Sequence, residues 1–197
     1  MKATFLFGGT VALLLAGGYM ASAGDKTEGE AARDKIPVVT AAVHTPGPLR
    51  LDYFSEAPGV LKAMSGLEEQ VRNSGLEKSI LVLVKIRASQ LNQCLYCLDM
   101  HEREAVKIAT DQAKLDAVAK WRESELFSPR ERAALAWTDA LTLISKTTIT
   151  DELFNEVSTR FKGGELANLS LAIIAINGWN RLNIGFRDEP QRCPIDF

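Results

Sequence analysis

Three residues in one short stretch have the types and the spacing that thiol chemistry needs: Cys94, Cys97 and His101. Residues three apart in a helix lie on adjacent turns, so the two sulfurs come within disulfide reach, and His101 follows Cys97 by one turn. A helix that starts near Cys94 favours the thiolate through its unpaired backbone N–H groups. Such a thiolate attacks a peroxide oxygen to become a sulfenic acid, which a neighbouring thiol converts to a disulfide. The spacing therefore favours thiol redox chemistry, with His101 holding or passing a proton.

Other uses of the cysteine pair have to be weighed against this one. A static Cys94–Cys97 disulfide closes a very short loop and so stabilises little. A zinc site needs four ligands, and Cys193 is the conceivable fourth beside the pair and His101. Haem attachment needs a histidine directly after the second cysteine, where Leu98 stands. The spacing alone leaves the static disulfide and the zinc site open as alternatives.

The elements that must position these residues are predicted to be helices. Apolar residues recur at spacings of three and four between Val60 and Val71, and this helix is expected to end near Gly75. The continuous apolar run 80–84 is compatible with a strand, but the length and polarity of 76–91 favour a buried helix. Further helices are expected over 94–109, 115–121, 128–144, 150–161 and 165–186. The pattern indicates an all-α fold.

The N-terminus has the features of an export signal. Lys2 precedes an uncharged apolar stretch, 3–20, and the small-residue site Ala21-Ser22-Ala23. An uncleaved membrane anchor is the alternative, because the apolar stretch nearly spans a bilayer. We expect a signal peptide over 1–23 that is removed, a periplasmic protein, and no stable membrane insertion after cleavage.

Composition limits the remaining possibilities. The chain has 197 residues, of which 46% are hydrophobic and 24% charged, with a net charge of −2. Because its acidic and basic residues are interspersed and form no basic stripe, no nucleic-acid partner is expected. Residues 24–48 are predicted to form a flexible leader and an extended arm in which His44 is solvated, and residues 49–197 to form one domain.

The sequence around the cysteines resembles a known family. The stretch KIRASQLNQCLYCLDMH, residues 85–101, is similar to the core motif of the carboxymuconolactone decarboxylase-like superfamily, in its alkylhydroperoxidase-D-like branch. The likeness continues through residues 121–123, 128–137 and 176–182 and covers roughly 49–186. It implies an alkylhydroperoxidase-D-like helical bundle that assembles into homo-oligomers, trimers or hexamers, and needs no metal or organic cofactor.

The resemblance also implies an activity and roles for the three residues. It predicts a thiol-dependent, peroxiredoxin-type peroxidase in which Cys97 attacks a hydroperoxide substrate, Cys94 resolves it and meets a thiol reductant, and His101 belongs to the proton relay. The family pattern places the relay's glutamate twelve residues before the first cysteine, where this chain has Val82. Weak peroxidase activity is therefore expected, which Val82→Glu should raise. The alternatives are a periplasmic thiol-disulfide exchange protein and a helical binding or scaffold protein.

Overall fold

The computed structural model describes residues 47–188, and this part of the chain is helical without a strand. Its helices are α1 (Tyr53–Glu56), α2 (Pro58–Arg72), α3 (Lys78–Asn92), α4 (Leu95–Lys107), α5 (Gln112–Ala117) with a 3₁₀ turn (Val118–Lys120), α6 (Pro129–Thr142), α7 (Asp151–Arg160) and α8 (Gly164–Phe186). The predicted all-α class is confirmed. The proposed signal peptide, nearly all of the leader, His44 and Cys193 lie outside the described residues. Between residues 47 and 188, no helix has the length and apolar character needed to cross a membrane.

Local sequence determines where several helices begin. Ser128 Oγ accepts a hydrogen bond from the Glu131 backbone N–H, and the Glu131 carboxylate accepts one from the Ser128 N–H, at 3.2 and 2.7 Å. This reciprocal cap starts α6 as the sequence predicts, and such caps contribute about 1 kcal/mol. Thr150 caps α7 in the simpler way. The predicted end of α6 at Ile144 is too late, because the helix ends at Thr142.

Helix α3 lies at the centre of the fold, in contact with α4, α6 and α8. The apolar run Ile80–Val84 belongs to this helix and is buried along its whole length, so the strand alternative is wrong. A helix that is covered on every side loses its 3.6-residue alternation of apolar and polar residues. That loss explains why the periodicity of this segment was ambiguous in the sequence.

Helix α2 approaches α8 closely at Gly178. A Cβ at this position would lie 2.9 Å from the methyl carbon of Met64, closer than packed side chains allow. The missing side chain lets α2 pack onto the half of α8 that faces the cysteines. Gly75 ends the turn after α2 with a φ of 81°, in the left-handed region that favours glycine.

Candidate functional site

The two cysteines lie at the junction between α3 and α4. Gln93 ends α3 in a left-handed conformation, with a φ of 62°, and so turns the chain sharply. Cys94 is the N-cap of α4, and its sulfur accepts a hydrogen bond from the Cys97 backbone N–H at 3.4 Å. The two sulfurs are paired as a disulfide, with the Cα atoms 5.3 Å apart. The helix start and the pairing predicted for Cys94 and Cys97 are thus both present.

The pair is enclosed by an apolar group of residues that we call the cysteine cluster. Its buried members are Tyr53, Ala88, Cys94, Tyr96, Cys97, Ile176 and Trp179. They come from α1, α3, α4, α8 and the α3–α4 junction, and partly buried residues of α1, α2 and α8 pack around them. The side chains of Cys94 and Cys97 are buried almost completely, with 1% and 0% exposure. This burial keeps bulk solvent away from both sulfurs.

Two asparagines of α8 border the sulfurs. The Asn183 side-chain amide donates a hydrogen bond to the Cys97 sulfur at 3.3 Å, while its carbonyl oxygen accepts one from the Tyr53 hydroxyl at 2.8 Å. One turn earlier, the Asn180 amide donates to the Ser89 hydroxyl. A spacing of three places both asparagines on one face of α8. Sequence reasoning missed Asn183, although this spacing of polar residues within an apolar helix is visible in the sequence.

In the reduced pair these contacts make the two thiols unequal. Burial opposes ionisation of Cys97, but hydrogen bonds from Cys94, Asn183 and Asn180 outweigh it, so the pKa of Cys97 lies below its ordinary value. The hydrogen bond with Cys97 and then burial raise the pKa of Cys94 far above its ordinary value. These directions favour a thiolate on Cys97 over one on Cys94.

His101 lies one turn after Cys97 and is buried. Its Nδ1 is 2.7 Å from the carboxylate of Glu104, and the same carboxylate oxygen is 3.8 Å from the Lys85 ammonium. Lys85 in turn forms a buried ion pair with Glu68 of α2, at 2.5 Å. We call these four residues the His101 cluster.

The His101 cluster contains groups whose protonation responds to their neighbours. Burial lowers the pKa of His101, the Lys85 charge acts in the same direction, and the hydrogen bond with Glu104 offsets only part of this. Burial favours the neutral form of Glu104, but the hydrogen bond from His101 and the charges of Lys85 and Arg72 outweigh it and lower the pKa of Glu104. The arrangement is thus a neutral imidazole oriented by an ionised carboxylate.

A carboxylate lies beside His101, although not at the position where the family pattern places it. Val82 is fully buried in an apolar group with Ile86, Ala105 and Leu115, as its residue type requires. The carboxylate beside His101 is instead Glu104, three residues further along α4. Glu77, the nearest carboxylate upstream of Val82, lies at the surface and pairs with Arg130 at 2.9 Å. The i, i+3 spacing of His101 and Glu104 is the sequence signal that indicates this contact, and it was missed.

The described residues contain no grouping of three His, Cys, Asp or Glu side chains that is suited to hold a metal ion. The zinc alternative had placed Cys193 beside the pair, and that residue is outside the described range. Cys94 and Cys97 lie in the cysteine cluster, and His101 lies one helical turn beyond Cys97. Asn183 and Glu104 are partners of these residues that the prediction lacked.

Comparison with known sequences identifies a matching family and similar proteins. The sequence profile of the carboxymuconolactone decarboxylase family matches residues 58–140. The uncharacterized protein YdfG of Bacillus subtilis is 34% identical over 135 residues, which are 68% of this chain and 92% of YdfG. The uncharacterized protein YnjA of Escherichia coli is 31% identical over 102 residues, 52% of this chain and 56% of YnjA.

Solved structures share the fold. A protein of unknown function from Agrobacterium tumefaciens, named as a candidate antioxidant defence protein AhpD, superposes with a TM-score of 0.71 at 36% identity. The match covers 76% of this chain and 100% of that protein. The debrominase Bmp8 in complex with 2,3,4-tribromopyrrole has a TM-score of 0.64 at 18% identity, covering 71% of this chain and 74% of Bmp8. At that identity the likeness to Bmp8 shows the fold alone.

Proposed function

Because the chain belongs to the carboxymuconolactone decarboxylase-like, AhpD-like superfamily, we propose that it is a thiol-dependent peroxidase that uses Cys97 and Cys94. The observation that carries this proposal is the inequality of the two buried sulfurs. Cys97 receives an amide hydrogen bond from Asn183, whereas Cys94 caps the helix and has a raised pKa. A peroxidatic thiol has to ionise, while a resolving thiol has to wait as a thiol until its partner is oxidised.

The first step transfers one oxygen atom. His101 takes the proton of the Cys97 thiol, and the thiolate attacks the outer oxygen of a hydroperoxide ROOH. The S–O bond forms as the O–O bond breaks, and the leaving alkoxide takes the proton back from His101. Cys97 is oxidised to a sulfenic acid and ROOH is reduced to the alcohol ROH. Glu104 acts as a positioning residue that holds the imidazole by its Nδ1 atom.

The second step regenerates the enzyme. The Cys94 thiol attacks the sulfenic sulfur of Cys97, which forms the disulfide and releases water. A small dithiol reductant then attacks the Cys94 sulfur, because the lower pKa of Cys97 makes it the better leaving thiolate. After a second exchange within the reductant, both cysteines are thiols again and the reductant is a disulfide.

Thiol-disulfide exchange with other proteins is the less favoured function. A protein disulfide can be attacked only by a sulfur that reaches the surface, and exchange proteins expose their attacking cysteine. Both sulfurs of this pair are buried beneath the cysteine cluster. Burial of this kind favours a small substrate such as a hydroperoxide.

The test is consumption of tert-butyl hydroperoxide with dithiothreitol as the reductant. Cys97→Ser should abolish turnover. Cys94→Ser should allow a single round that leaves a sulfenic acid on Cys97, detected by dimedone labelling and mass spectrometry. Cys193→Ser is the matched control, because it removes the third cysteine, and it should turn over like the parent.

Two results would reject the proposed chemistry. Turnover in Cys97→Ser at the rate of the parent would show that this sulfur does not attack the peroxide. Stoichiometric zinc in the purified protein that protects both thiols from alkylation would instead support the metal-site alternative.

Export and self-association complete the proposal. The sequence between Lys2 and Ala23 supports a periplasmic mature chain that begins near Gly24, and an intact mass that retains Met1 would contradict it.

Large apolar side chains that are exposed in the single chain, among them Leu95, Val106 and Ile174, support a homo-oligomer. Light scattering of the mature protein at a monomer mass would contradict that part.

A further inference from the structure

We propose that Asn183 holds the Cys97 sulfur as a thiolate, and that Tyr53 fixes the Asn183 amide in the only orientation that allows this. This inference rests on the proposed function and adds two residues to its machinery. Asn183 is a catalytic residue in the strict sense, because it touches the reacting sulfur at 3.3 Å. Tyr53 acts through Asn183 and is a positioning residue.

The orientation of an amide decides its effect on a neighbouring sulfur. An asparagine presents N–H donors at one end and a carbonyl acceptor at the other. The donor end stabilises a thiolate, and the acceptor end would repel it. The Tyr53 hydroxyl donates to the carbonyl oxygen at 2.8 Å, which leaves the N–H₂ group to face Cys97. Both Asn183 and Tyr53 are buried, so water does not compete for either contact.

The phenol is delivered by a segment that is distant in sequence. Residues before α1 are attached to the end of α8, where the Arg50 backbone N–H donates to the Phe186 carbonyl at 2.8 Å and the Arg50 guanidinium donates to the Gly185 carbonyl at 3.1 Å. The Tyr53 ring packs against Phe54 and Phe186, with centroid distances of 4.5 and 5.5 Å. These contacts hold the hydroxyl over Asn183, so α1 is part of the site.

Few other groups can control the charge of this sulfur. The titratable groups of this region are Cys94, Tyr53, Tyr96 and, one helical turn beyond Cys97, His101. Of these, Cys94 contributes a hydrogen bond to Cys97, while its own pKa is raised. A hydrogen bond to a charged group is stronger than one to a neutral group, so the Asn183 contact favours the thiolate over the thiol.

The test is a titration of the reduced thiols, followed by thiolate ultraviolet absorbance between about pH 5 and pH 9. All proteins carry Cys193→Ser, so that Cys94 and Cys97 are the thiols observed. Asn183→Leu, which keeps the size of the side chain and removes the donor, should reduce the thiolate fraction at neutral pH by about tenfold or more. Tyr53→Phe, which leaves the amide free to rotate, should reduce it by about two- to fivefold.

Asn168→Leu is the matched control. Asn168 lies on the same helix, is partly buried and donates a hydrogen bond to the Ser74 carbonyl at 3.0 Å, a contact that involves neither the sulfurs nor the two asparagines beside them. Loss of this bond should destabilise the variant and leave its thiol titration at the position of the parent. A merely structural role of Asn183 predicts the same outcome for Asn183→Leu.

Each result decides the inference. Unchanged titration in folded Asn183→Leu overturns it, and if that variant does not fold, unchanged titration in Tyr53→Phe overturns it instead. The titration contains no peroxide, which separates the two proposals. A shifted titration in a protein that consumes no hydroperoxide would reject the proposed function and retain the Asn183 assignment, whereas normal turnover with an unshifted Asn183→Leu titration would do the reverse.

Discussion

Two buried cations of the central helix α3, Lys85 and Arg87, stand two residues apart and serve different regions of the molecule. Lys85 belongs to the His101 cluster, between α2 and α4. Arg87 bonds to Asp139 of α6 at 2.6 Å, and Asp139 also accepts hydrogen bonds from Arg122 at 2.5 Å and Trp121 at 3.2 Å. We call this second group the Asp139 cluster.

The two clusters differ in whether a proton can move. The Asp139 carboxylate is surrounded by two arginines and an indole N–H, and none of these donors releases a proton in the range where proteins function. The His101 cluster instead combines an imidazole, two carboxylates and an ammonium, and the pKa values of His101 and Glu104 are both shifted. Buried charge by itself therefore does not indicate a functional site. A buried donor that can release its proton, such as an imidazole, does indicate one.

The largest effect should follow from Asp139→Asn. This change keeps the shape of the side chain and leaves the buried Arg87 without its counter-charge, which typically costs about 3–5 kcal/mol of unfolding free energy. Urea unfolding at neutral pH measures the loss, and the thiol titration of the folded variant should match that of the parent. A loss below about 1 kcal/mol would show that the Asp139 cluster is not the structural centre inferred here.

The equivalent change in the His101 cluster, Glu104→Gln, should have little effect on stability and a large effect on turnover. We expect the unfolding free energy to change by less than about 1 kcal/mol, because the Glu104 side chain is 24% exposed. Hydroperoxide turnover should fall by about 10- to 100-fold, because Glu104 no longer holds the His101 imidazole in the orientation that accepts the proton. The acid limb of the pH profile should move to lower pH, because the carboxylate that raises the pKa of His101 is gone. Unchanged turnover and pH profile would place the relay elsewhere.

The pH dependence of stability offers a further distinction. Burial lowers the pKa of His101 in the folded state, whereas the unfolded chain has the ordinary value of about 6.5. As the pH falls below about 6.5, His101 therefore binds a proton in the unfolded state but not in the folded state, and the unfolding free energy falls. The slope should approach about 1.4 kcal/mol per pH unit until the folded-state pKa is passed.

The chain offers its own control for this slope, because it contains two histidines, His44 and His101. Unfolding measured between about pH 7 and pH 5 should lose the slope in His101→Gln and keep it in His44→Gln. The carboxylates Glu77, Glu104 and Glu131 have pKa values lowered from 4.5, so they act in a more acidic range. An equal slope in both variants would show that the pKa of His101 is not lowered in the folded protein.

The smallest effect is expected from Arg122→Ala. The Arg122 side chain is 36% exposed, so its bond to Asp139 is screened by water, and Arg87 and Trp121 still serve the carboxylate when it is removed. The loss in unfolding free energy should be about 1 kcal/mol or less. If Arg122→Ala destabilises the protein as much as Asp139→Asn, the exposed arginine carries the pairing and the distinction between buried and exposed donors fails.

The surroundings of Val82 and His101 bear on the effect expected from Val82→Glu. A carboxylate at Val82 would be placed among apolar side chains, where an unpaired charge is costly. His101 already has a carboxylate partner in Glu104. Higher turnover in Val82→Glu stays a prediction, and the contact between Glu104 and His101 is a reason to expect a smaller gain.

Short-range features of the molecule were predictable from the sequence. The caps at Ser128 and Thr150 and the N-cap position of Cys94 depend on contacts within three residues, which a helix sets without help from the rest of the fold. Glu104 belongs to this class as well, since it contacts His101 at a spacing of three. This spacing is visible in the sequence, but the family pattern points to position 82 instead.

Long-range contacts were decided by the tertiary structure. Asn183 is 86 residues from Cys97, and Tyr53 is 130 residues from Asn183, so their meeting depends on how α1 and α8 pack at the start of α4. The pairing of Lys85 with Glu68 likewise needs α2 and α3 to lie side by side. By itself the sequence determined the helices, the cysteine pair and the histidine one turn later, because backbone geometry relates residues within a turn or two. The difference in pKa between the two thiols was decided only in the folded molecule, because burial and the donors around each thiol come from helices that are far apart along the chain.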